Sequence, residues 1–282
     1  MLIRALLIFL MLTLSGCETL DLQNLDVNSL YNAATKVADA FTVEPEEERE
    51  LGKNMSAVLL GARPLAKSKR LNRYVNQVGM WLAMNSSRPY LDWRFGVLQT
   101  DAINAFAAPA GYVFVTTGML DHLQNEAELA AVLAHEIIHV NRQHHVEAMK
   151  SGAVRGLLRN TAFAIGEGMQ LDSTHPQYME WAKKVSVAAQ NLYSKGLDRD
   201  DELEADKLGI RLLAKAGYDP YAFISGLQML ESLNPSDSGL ALLFKTHPRP
   251  EDRIRRVSSS LASLTDLPSA NTLAKRYKRF VK

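Results

Sequence analysis

The chain has 282 residues, of which 47% are hydrophobic and 22% are charged, and this balance indicates a folded globular protein rather than a disordered one. Its formal net charge of +1 gives no reason to expect nucleic acid as a partner. The single cysteine, Cys17, excludes both a disulfide framework and a zinc site made of thiolates, so any metal must be held by histidine and carboxylate side chains.

The first residues predict export followed by attachment to a lipid. Arg4 precedes an apolar run, residues 5–14, that is too short for an ordinary membrane-spanning helix. The run ends in Leu14-Ser15-Gly16-Cys17, which resembles the lipobox of bacterial lipoproteins. The resemblance implies cleavage before Cys17 and acylation there, at the periplasmic face of the outer membrane because Glu18 rather than Asp follows. A plain secretory signal with an incidental cysteine is the alternative.

Hydrophobic periodicity predicts two helices and two strands before the most informative segment. Proline and three acids favour the first turn of a helix over 45–61. A second, amphipathic helix is predicted over 68–84. Alternating β-forming residues predict strands over 93–99 and 112–117, with a loop over 104–111 between them.

A helix that begins after Asn125 is predicted to carry the chemistry. Asn125 and Glu128 match an N-cap with its capping-box partner, and apolar residues follow at helical spacing with no glycine or proline before Gly152. Inside this helix lies His135-Glu136-Ile137-Ile138-His139. Histidines four residues apart share a face and can hold Zn²⁺, while Glu136 can take a proton from the attacking water. The alternative is that the two histidines are hydrogen-bonded side chains of a buried helix and bind no metal.

A catalytic zinc ion needs a third protein ligand, and two candidates compete for that place. His145 lies ten residues after His135. In an unbroken helix it would be about 15 Å further along the axis and out of reach, so it is rejected. Glu202 and Asp206 share one face of a second predicted helix, so one carboxylate can bind the metal while the other accepts an N–H from a ligating histidine. A solvated acidic helix start is the alternative.

The remaining segments give less specific predictions. Residues 152–169 are apolar but rich in glycine, and predict a poorly packed connecting helix, with a mobile flap as the alternative. A plainer amphipathic helix is predicted over 176–194. The basic residues over 275–282 predict a solvated tail, with contact to anionic lipid as the alternative.

Together, H-E-I-I-H and R-D-D-E-L-E-A-D resemble the zinc metallopeptidases of the HtpX-like and CAAX prenyl endopeptidase family, which are compact gluzincins. The resemblance covers roughly residues 43–257. It implies one zinc ion per chain. The implied ligands are His135, His139 and Glu202, and Asp206 is implied to orient one of the bound histidines.

Two further segments carry the same resemblance. Residues 104–111 match the family's substrate loop, although Ala110 stands where glycine is usual, and the strand after it is expected to form the sheet edge that pairs with extended substrate. An ordinary two-strand hairpin inside the fold is the alternative. The substrate-binding residues implied are Asn104, Ala105, Phe106 and Tyr112. His247-Pro248, with Arg253 six residues after His247, implies either a transition-state role for both side chains or a loop that caps the zinc. The alternative is that His247 is a surface histidine before a proline turn and has no role at the metal.

The sequence thus predicts an α+β fold, a mainly helical zincin-type metallopeptidase domain with one small β-sheet beside the H-E-x-x-H helix. The expected segments are a signal peptide (1–16), a lipidated tether (17–42), the metallopeptidase domain (43–265) and a basic C-terminal tail (266–282). The implied function is a periplasmic zinc endopeptidase for unfolded or misassembled envelope proteins. The alternative is a lipoprotein chaperone or assembly factor, working with the outer-membrane assembly machinery, whose zinc site is latent or structural.

Overall fold

A computed structural model describes residues 44–151, 176–233, 238–262 and 272–282. The predicted signal peptide and tether, with Cys17, lie outside the described residues, and so does the glycine-rich segment 152–169. No helix in the described part of the chain is long and apolar enough to cross a membrane.

The described elements are mostly helical, with one small sheet between the second and third helices. The helices are α1 Pro45–Ala62, α2 Lys69–Met84, α3 Thr117–His122, α4 Glu126–Asn141, α5 His144–Ser151, α6 Pro176–Lys195, α7 Arg199–Lys215, α8 Tyr221–Ser232, α9 Leu243–Thr246, α10 Pro250–Ala262 and α11 Ala274–Val281. The strands are β1 Arg94–Leu98, β2 Ala105–Ala108 and β3 Tyr112–Thr116. This arrangement confirms the predicted α+β class.

Helix α4 lies at the centre of the fold. It begins as the capping pattern predicts, because Asn125 Oδ1 accepts the N–H of Glu128 at 3.0 Å. Helices α2, α7 and α8 and strand β2 pack around it, so the helix is buried on nearly every side. Burial on all sides explains why apolar residues cover its whole circumference rather than one stripe.

The sheet is ordered β1-β3-β2, which corrects the predicted edge strand. Strand β3 pairs in parallel with β1 and antiparallel with β2, so β3 is the middle strand and β2 is an edge. The prediction was wrong because Ala105–Ala108, whose alanines have low strand propensity, forms a strand inside the expected loop. A tight turn, with Ala110 at φ 60° and Gly111 at φ 99°, folds β2 back onto β3.

Helix α4 ends at Asn141 instead of running on, which corrects the argument used against His145. Gln143 adopts a left-handed φ of 57°, and α5 begins at His144. The break turns the chain back, so the ring centroid of His145 lies 5.7 Å from that of His139, and the separation of about 15 Å from His135 along one unbroken axis does not apply.

The C-terminal helix packs on the domain, so the prediction of a solvated tail is wrong for α11. The ring of Tyr277 is fully buried, and its hydroxyl donates to the carbonyl of Leu120. Arg276 pairs with the buried carboxylate of Glu126 at the start of α4. The basic residues belong to an amphipathic helix whose other face is part of the core.

Candidate active site

The two histidines of the H-E-x-x-H motif face one another in the interior. His135 and His139 are 4% and 1% exposed, and their Nε2 atoms lie 3.0 Å apart. Two neutral imidazole nitrogens at this separation direct lone pairs at each other unless they share a proton or a cation. The pair therefore favours binding a positive charge.

A carboxylate from the first turn of α7 lies opposite this pair. Glu202 Oε2 is 3.6 Å from His135 Nε2, and Glu202 Oε1 is 3.5 Å from His139 Nε2. Helix α7 approaches this closely because Gly209 has no side chain: a Cβ there would lie 3.3 Å from the backbone nitrogen of His135. Glu202 Oε1 is buried and has no hydrogen-bond partner among the described residues. A buried carboxylate oxygen without a donor is costly, and a cation would satisfy it.

His247 adds a fourth ligand atom to this group. It follows the short helix α9, and its Nδ1 lies 2.6 Å from Glu202 Oε2. One ligand atom from each of His135, His139, Glu202 and His247 lies within 4.8 Å of all the others. Three residues thus come from two long helices and the fourth from a connecting segment.

This donor set fits a zinc ion. Zinc binds imidazole nitrogen and carboxylate oxygen at about 2.0–2.2 Å, so tetrahedrally arranged ligand atoms lie roughly 3.3–3.6 Å apart. The separations of 3.0, 3.5 and 3.6 Å among the two histidine Nε2 atoms and the Glu202 oxygens are close to that spacing. The cluster could therefore bind one metal ion.

Asp206 and Arg253 fix the orientation of the His135 ring. Asp206 Oδ1 lies 2.9 Å from His135 Nδ1, so it accepts the N–H there and leaves Nε2 as the ligand atom. Arg253 donates to both oxygens of Asp206, at 2.6 and 3.0 Å. Burial and the Arg253 guanidinium lower the pKa of His135, but the Asp206 and Glu202 carboxylates outweigh them and raise it to about 9. The field at this ring thus favours a cation.

A second relay, which the sequence did not predict, holds His139. The Nδ1 atoms of His139 and His144 lie 2.9 Å apart, and His144 Nε2 lies 3.0 Å from Glu204 Oε2. With His139 Nε2 as a ligand atom, its Nδ1–H donates to His144, and His144 donates to the Glu204 carboxylate. Burial lowers the pKa of His139 well below its ordinary value, which suits a neutral ligand. His144-His145, which begins five residues after His139, is the sequence feature that could have indicated this contact.

Glu136 lies beside the four ligand atoms, where two cavities meet. The first, here called the apolar cavity, has a volume of about 50 Å³, and the second, called the strand cavity, has about 30 Å³. Ala105, Glu136 and His247 line both of them. Burial raises the pKa of the Glu136 carboxyl above its ordinary value, which suits a group that takes up and returns a proton.

The structure brings three of the predicted substrate-binding residues to these cavities. Asn104 and Ala105 line the apolar cavity, and Ala105 and Phe106 line the strand cavity. Asn104 Oδ1 accepts the N–H of Ala105, while its Nδ2 is buried with no hydrogen-bond partner in the described part of the chain. Tyr112 instead lies at the far end of the middle strand, where Arg94 covers its ring. Its predicted role followed from the mistaken edge strand.

Tyr193, on α6, reaches the sheet edge, and the sequence did not predict this contact. Its hydroxyl donates to the carbonyl of Ala107 at 3.0 Å, and its ring packs edge-on against Phe106. The carbonyl of Asn104 accepts the N–H of Thr116 on β3, so the alternation of an antiparallel pair turns the backbone groups of Ala107 away from β3. Tyr193 therefore occupies an acceptor on the edge of the sheet.

Comparison with known proteins gives the family. The model of peptidase family M48 matches residues 69–261. The beta-barrel assembly-enhancing proteases of Escherichia coli K12 and Yersinia pestis are 30% and 28% identical to this chain, over 76% and 82% of its length. The chain spans less than half of these two relatives, 43% and 47% of their length. Metalloprotease YcaL of Escherichia coli K12 is 24% identical over 89% of this chain and 93% of its own length.

The family model covers most of the chain, including the H-E-x-x-H helix, α7 and His247. It confirms the resemblance predicted from those motifs, and the donor set at their meeting point agrees with it. The chain belongs to peptidase family M48, a family of zinc-dependent metallopeptidases.

Proposed function

We propose that this chain is a zinc-dependent endopeptidase that cleaves unfolded or misassembled envelope proteins. The observation that carries the proposal is the convergence of His135 and His139 from α4 with Glu202 from α7. Glu136 lies beside that group, where the apolar cavity and the strand cavity meet.

The roles of the residues follow from this arrangement. His135, His139 and Glu202 would hold Zn²⁺, which supplies a Lewis acid that polarises the scissile carbonyl and makes water more acidic. Glu136 is the base: its carboxylate takes a proton from the water whose oxygen attacks the carbonyl carbon. When the carbon–nitrogen bond breaks, Glu136 returns that proton to the leaving amine nitrogen. Asp206 keeps the His135 ring oriented throughout.

The surroundings of Arg253 and His247 suggest different roles for these two residues. The Arg253 guanidinium donates to both oxygens of Asp206, which supports a positioning role rather than contact with substrate. The contact of His247 with Glu202 supports a cap on the metal, and hence a latent enzyme that becomes active when this segment moves. The same contact favours a second candidate function, an assembly factor that holds clients and keeps its zinc site latent.

Unfolded polypeptide is the substrate class that the edge strand supports. Pairing along β2 would read the backbone of an extended chain and place few demands on its side chains. The unpartnered Nδ2 of Asn104 offers a donor for a substrate carbonyl at the start of this strand. A folded protein seldom exposes such a backbone, whereas a misassembled one does.

We propose further that the chain works at the periplasmic face of the outer membrane, attached through an acyl group on Cys17. The Leu14-Ser15-Gly16-Cys17 motif supports the attachment. Relatives of this chain carry the name beta-barrel assembly-enhancing protease. That name supports the proposal that the clients are proteins undergoing β-barrel assembly and that the assembly machinery is a partner. A Cys17→Ser chain that still fractionated with the outer membrane would contradict the attachment.

Replacing the proposed base tests the enzymatic function. In Glu136→Gln the carboxylate is lost and the shape is kept, so zinc should stay bound while cleavage of casein falls by roughly 10²–10⁴-fold. Glu147→Gln, the same change at an exposed position on α5, should leave cleavage unchanged. Cleavage of casein by Glu136→Gln at the wild-type rate would show that the mechanism is wrong.

Complementation separates the two candidate functions. A strain that lacks this protein should regain its envelope phenotype with the wild-type chain and with Glu147→Gln, but not with Glu136→Gln. Full rescue by Glu136→Gln would favour the assembly factor that only holds its clients.

A further inference from the structure

We infer that two neighbouring helices, α2 and α11, form a surface that binds a bilayer of anionic phospholipid. The exposed cations of this surface, here called the basic face, are Lys275, Lys278, Arg279 and Lys282 on α11 with Lys69, Arg70 and Arg73 on α2. The inference goes beyond the proposed function, because the basic face contributes no residue to the metal site or to the two cavities beside it.

The cations of α11 lie together on one side of the helix. At about 100° per residue, the four side chains on α11 that belong to the basic face project within an arc of roughly 100°. All four are exposed, whereas Tyr277 on the opposite side is fully buried. Arg276 lies outside this arc and pairs with Glu126. The outward side of α11 therefore carries only positive charge.

Helix α2 places further cations next to α11. Arg70 Nη2 donates to the carbonyl oxygen of Arg279 at 2.8 Å, and the Arg70 guanidinium lies 4.7 Å from the centre of the Phe280 ring. Lys69 and Arg73 are exposed beside Arg70 on α2. The first turn of α2 contains no acid, so Lys69 and Arg70 lie where the helix dipole disfavours positive charge. These cations do not favour the helix that carries them.

The basic face has no acidic partner within the described part of the chain. None of its seven side chains forms a salt bridge with another described residue. Exposed arginines elsewhere do pair with a carboxylate, and examples are Arg49, Arg94, Arg142 and Arg255. Because the net charge of the whole chain is only +1, this unneutralised positive charge is local. An anionic surface outside the molecule would supply the missing counter-charge.

The apolar part of the same side of α2 favours a bilayer as the source of that charge. Trp81 and Met84 lie within the same arc of roughly 120° as the cations of α2, and they are 52% and 64% exposed. The indole N–H of Trp81 already donates to the carbonyl of Ala216, so the part that it presents to solvent is the ring. Trp81 and Phe280 line a groove of about 520 Å³ between α2 and α11. A tryptophan ring beside lysine and arginine is typical of surfaces that enter the headgroup region of a membrane.

The test is cosedimentation of the full chain with vesicles. All proteins carry Cys17→Ser, so that no acyl group is attached. Vesicles of phosphatidylcholine alone measure any binding by the N-terminal residues, and an equal mixture of phosphatidylcholine and phosphatidylglycerol adds anionic charge. The chain with an intact basic face should bind the mixed vesicles more tightly than the neutral ones. Equal binding to both kinds of vesicle would overturn the inference.

Two variants that each lose four positive charges locate the binding surface. The first removes the cations of α11, through Lys275→Gln, Lys278→Gln, Arg279→Gln and Lys282→Gln. It should bind the mixed vesicles on the order of a hundredfold more weakly and the neutral vesicles as before. The second removes exposed cations from α6, α7 and α9, through Lys183→Gln, Lys195→Gln, Arg211→Gln and Lys245→Gln. It should bind both kinds of vesicle as before. An equal loss in the two variants would show that only the total charge matters and would overturn the inference.

Two smaller changes keep the inference testable should the α11 variant fold poorly. Lys69→Gln combined with Arg73→Gln leaves α11 intact and should weaken binding to the mixed vesicles by about tenfold. Trp81→Ala should weaken it several-fold and leave binding to heparin, a soluble polyanion, unchanged. Vesicle binding unaffected by Trp81→Ala would show that the face attracts polyanions in general and would overturn the bilayer as its partner. No measurement here depends on cleavage, so each outcome leaves the proposed endopeptidase as it stands.

Discussion

The ring of His247 stands against those of His135 and His139, with centroid separations of 5.4 and 6.5 Å. A ligand atom in that place competes with water and with a substrate carbonyl for the metal. The other three ligand residues belong to long helices, whereas His247 follows a helix of four residues. It is therefore the ligand residue that can leave with the least disturbance of the fold.

Removing this imidazole should activate the enzyme. If the capped form holds about nine molecules in ten, His247→Ala should raise the basal rate of casein cleavage by about tenfold, because every molecule then has an open site. The measurement is the initial rate at equal zinc content. A fall of about 10²-fold would instead assign His247 to transition-state stabilisation and contradict the cap.

At the residue scale, helical spacing predicts which side chains of a single helix lie on the same face. Side chains four residues apart share a helix face, so His135 with His139 and Glu202 with Asp206 were correctly paired from spacing. The approach of His144 to His139 could not be predicted in this way, because it depends on the backbone at Gln143, and helical spacing does not extend across a break.

At the scale of elements, α6 and β2 interact at the point where substrate is proposed to pair. Tyr193 donates to the carbonyl of Ala107 on the sheet edge, and its ring lies across from Phe106. An incoming peptide must replace this hydrogen bond with one of its own. If substrate pairs with β2 as proposed, helix α6 competes with it for the edge of the sheet.

Tyr193→Phe removes this hydroxyl and keeps the ring. Because a neutral hydrogen bond contributes about 0.5–1.5 kcal/mol, kcat/KM for casein should rise by about two- to tenfold. Tyr221→Phe, at an exposed position on α8, is the control and should leave kcat/KM as it was. An unchanged or lower value for Tyr193→Phe would mean that α6 does not compete with substrate.

The existence of most elements could be predicted from capping and periodicity, but their arrangement could not. The strand that became the sheet edge is mostly alanine, and only its pairing with β3 makes it a strand. Helix α11 is short and strongly basic, so its composition indicated a solvated tail, and only the burial of Tyr277 shows that it is docked. Both depend on tertiary contacts that no local pattern contains.

At the scale of the whole molecule, one carboxylate connects segments that are distant in sequence. Glu48 on α1 accepts hydrogen bonds from Arg88 at 2.7 and 2.8 Å, from the N–H of Ala110 at 3.1 Å and from Gln143 at 2.8 Å. Burial alone would raise the pKa of Glu48, but these donors outweigh it and lower the pKa below its ordinary 4.5. The contacts link α1 to the turn before β3 and to the break after α4.

Glu48→Gln should lower the free energy of unfolding at pH 7 by about 3 kcal/mol, because it leaves Arg88 without its buried partner. A carboxyl whose pKa is lower in the folded than in the unfolded protein stabilises the fold fully above its unfolded pKa, near 4.5, and this stabilisation is lost as the pH falls through its folded pKa. The difference in free energy of unfolding between wild type and Glu48→Gln should therefore become smaller below pH 4.5. Urea denaturation measures both effects. The control is Glu46→Gln, which removes an exposed ion pair with Arg49 and should lower the free energy of unfolding by only about 0–1 kcal/mol. A difference in unfolding free energy between wild type and Glu48→Gln that did not change with pH would contradict the stabilising role of the Glu48 carboxylate.

Zinc binding by purified wild type, Glu202→Gln and Asp200→Asn tests most directly whether α4 and α7 together form the metal centre. Wild type and Asp200→Asn, an exposed change in the same turn of α7, should each hold one zinc ion per chain. Glu202→Gln should weaken zinc binding by more than the roughly 10- to 100-fold that loss of an orienting partner costs, since it removes a ligand. Wild-type zinc affinity in Glu202→Gln would show that the carboxylate is not a ligand and would contradict the proposed site.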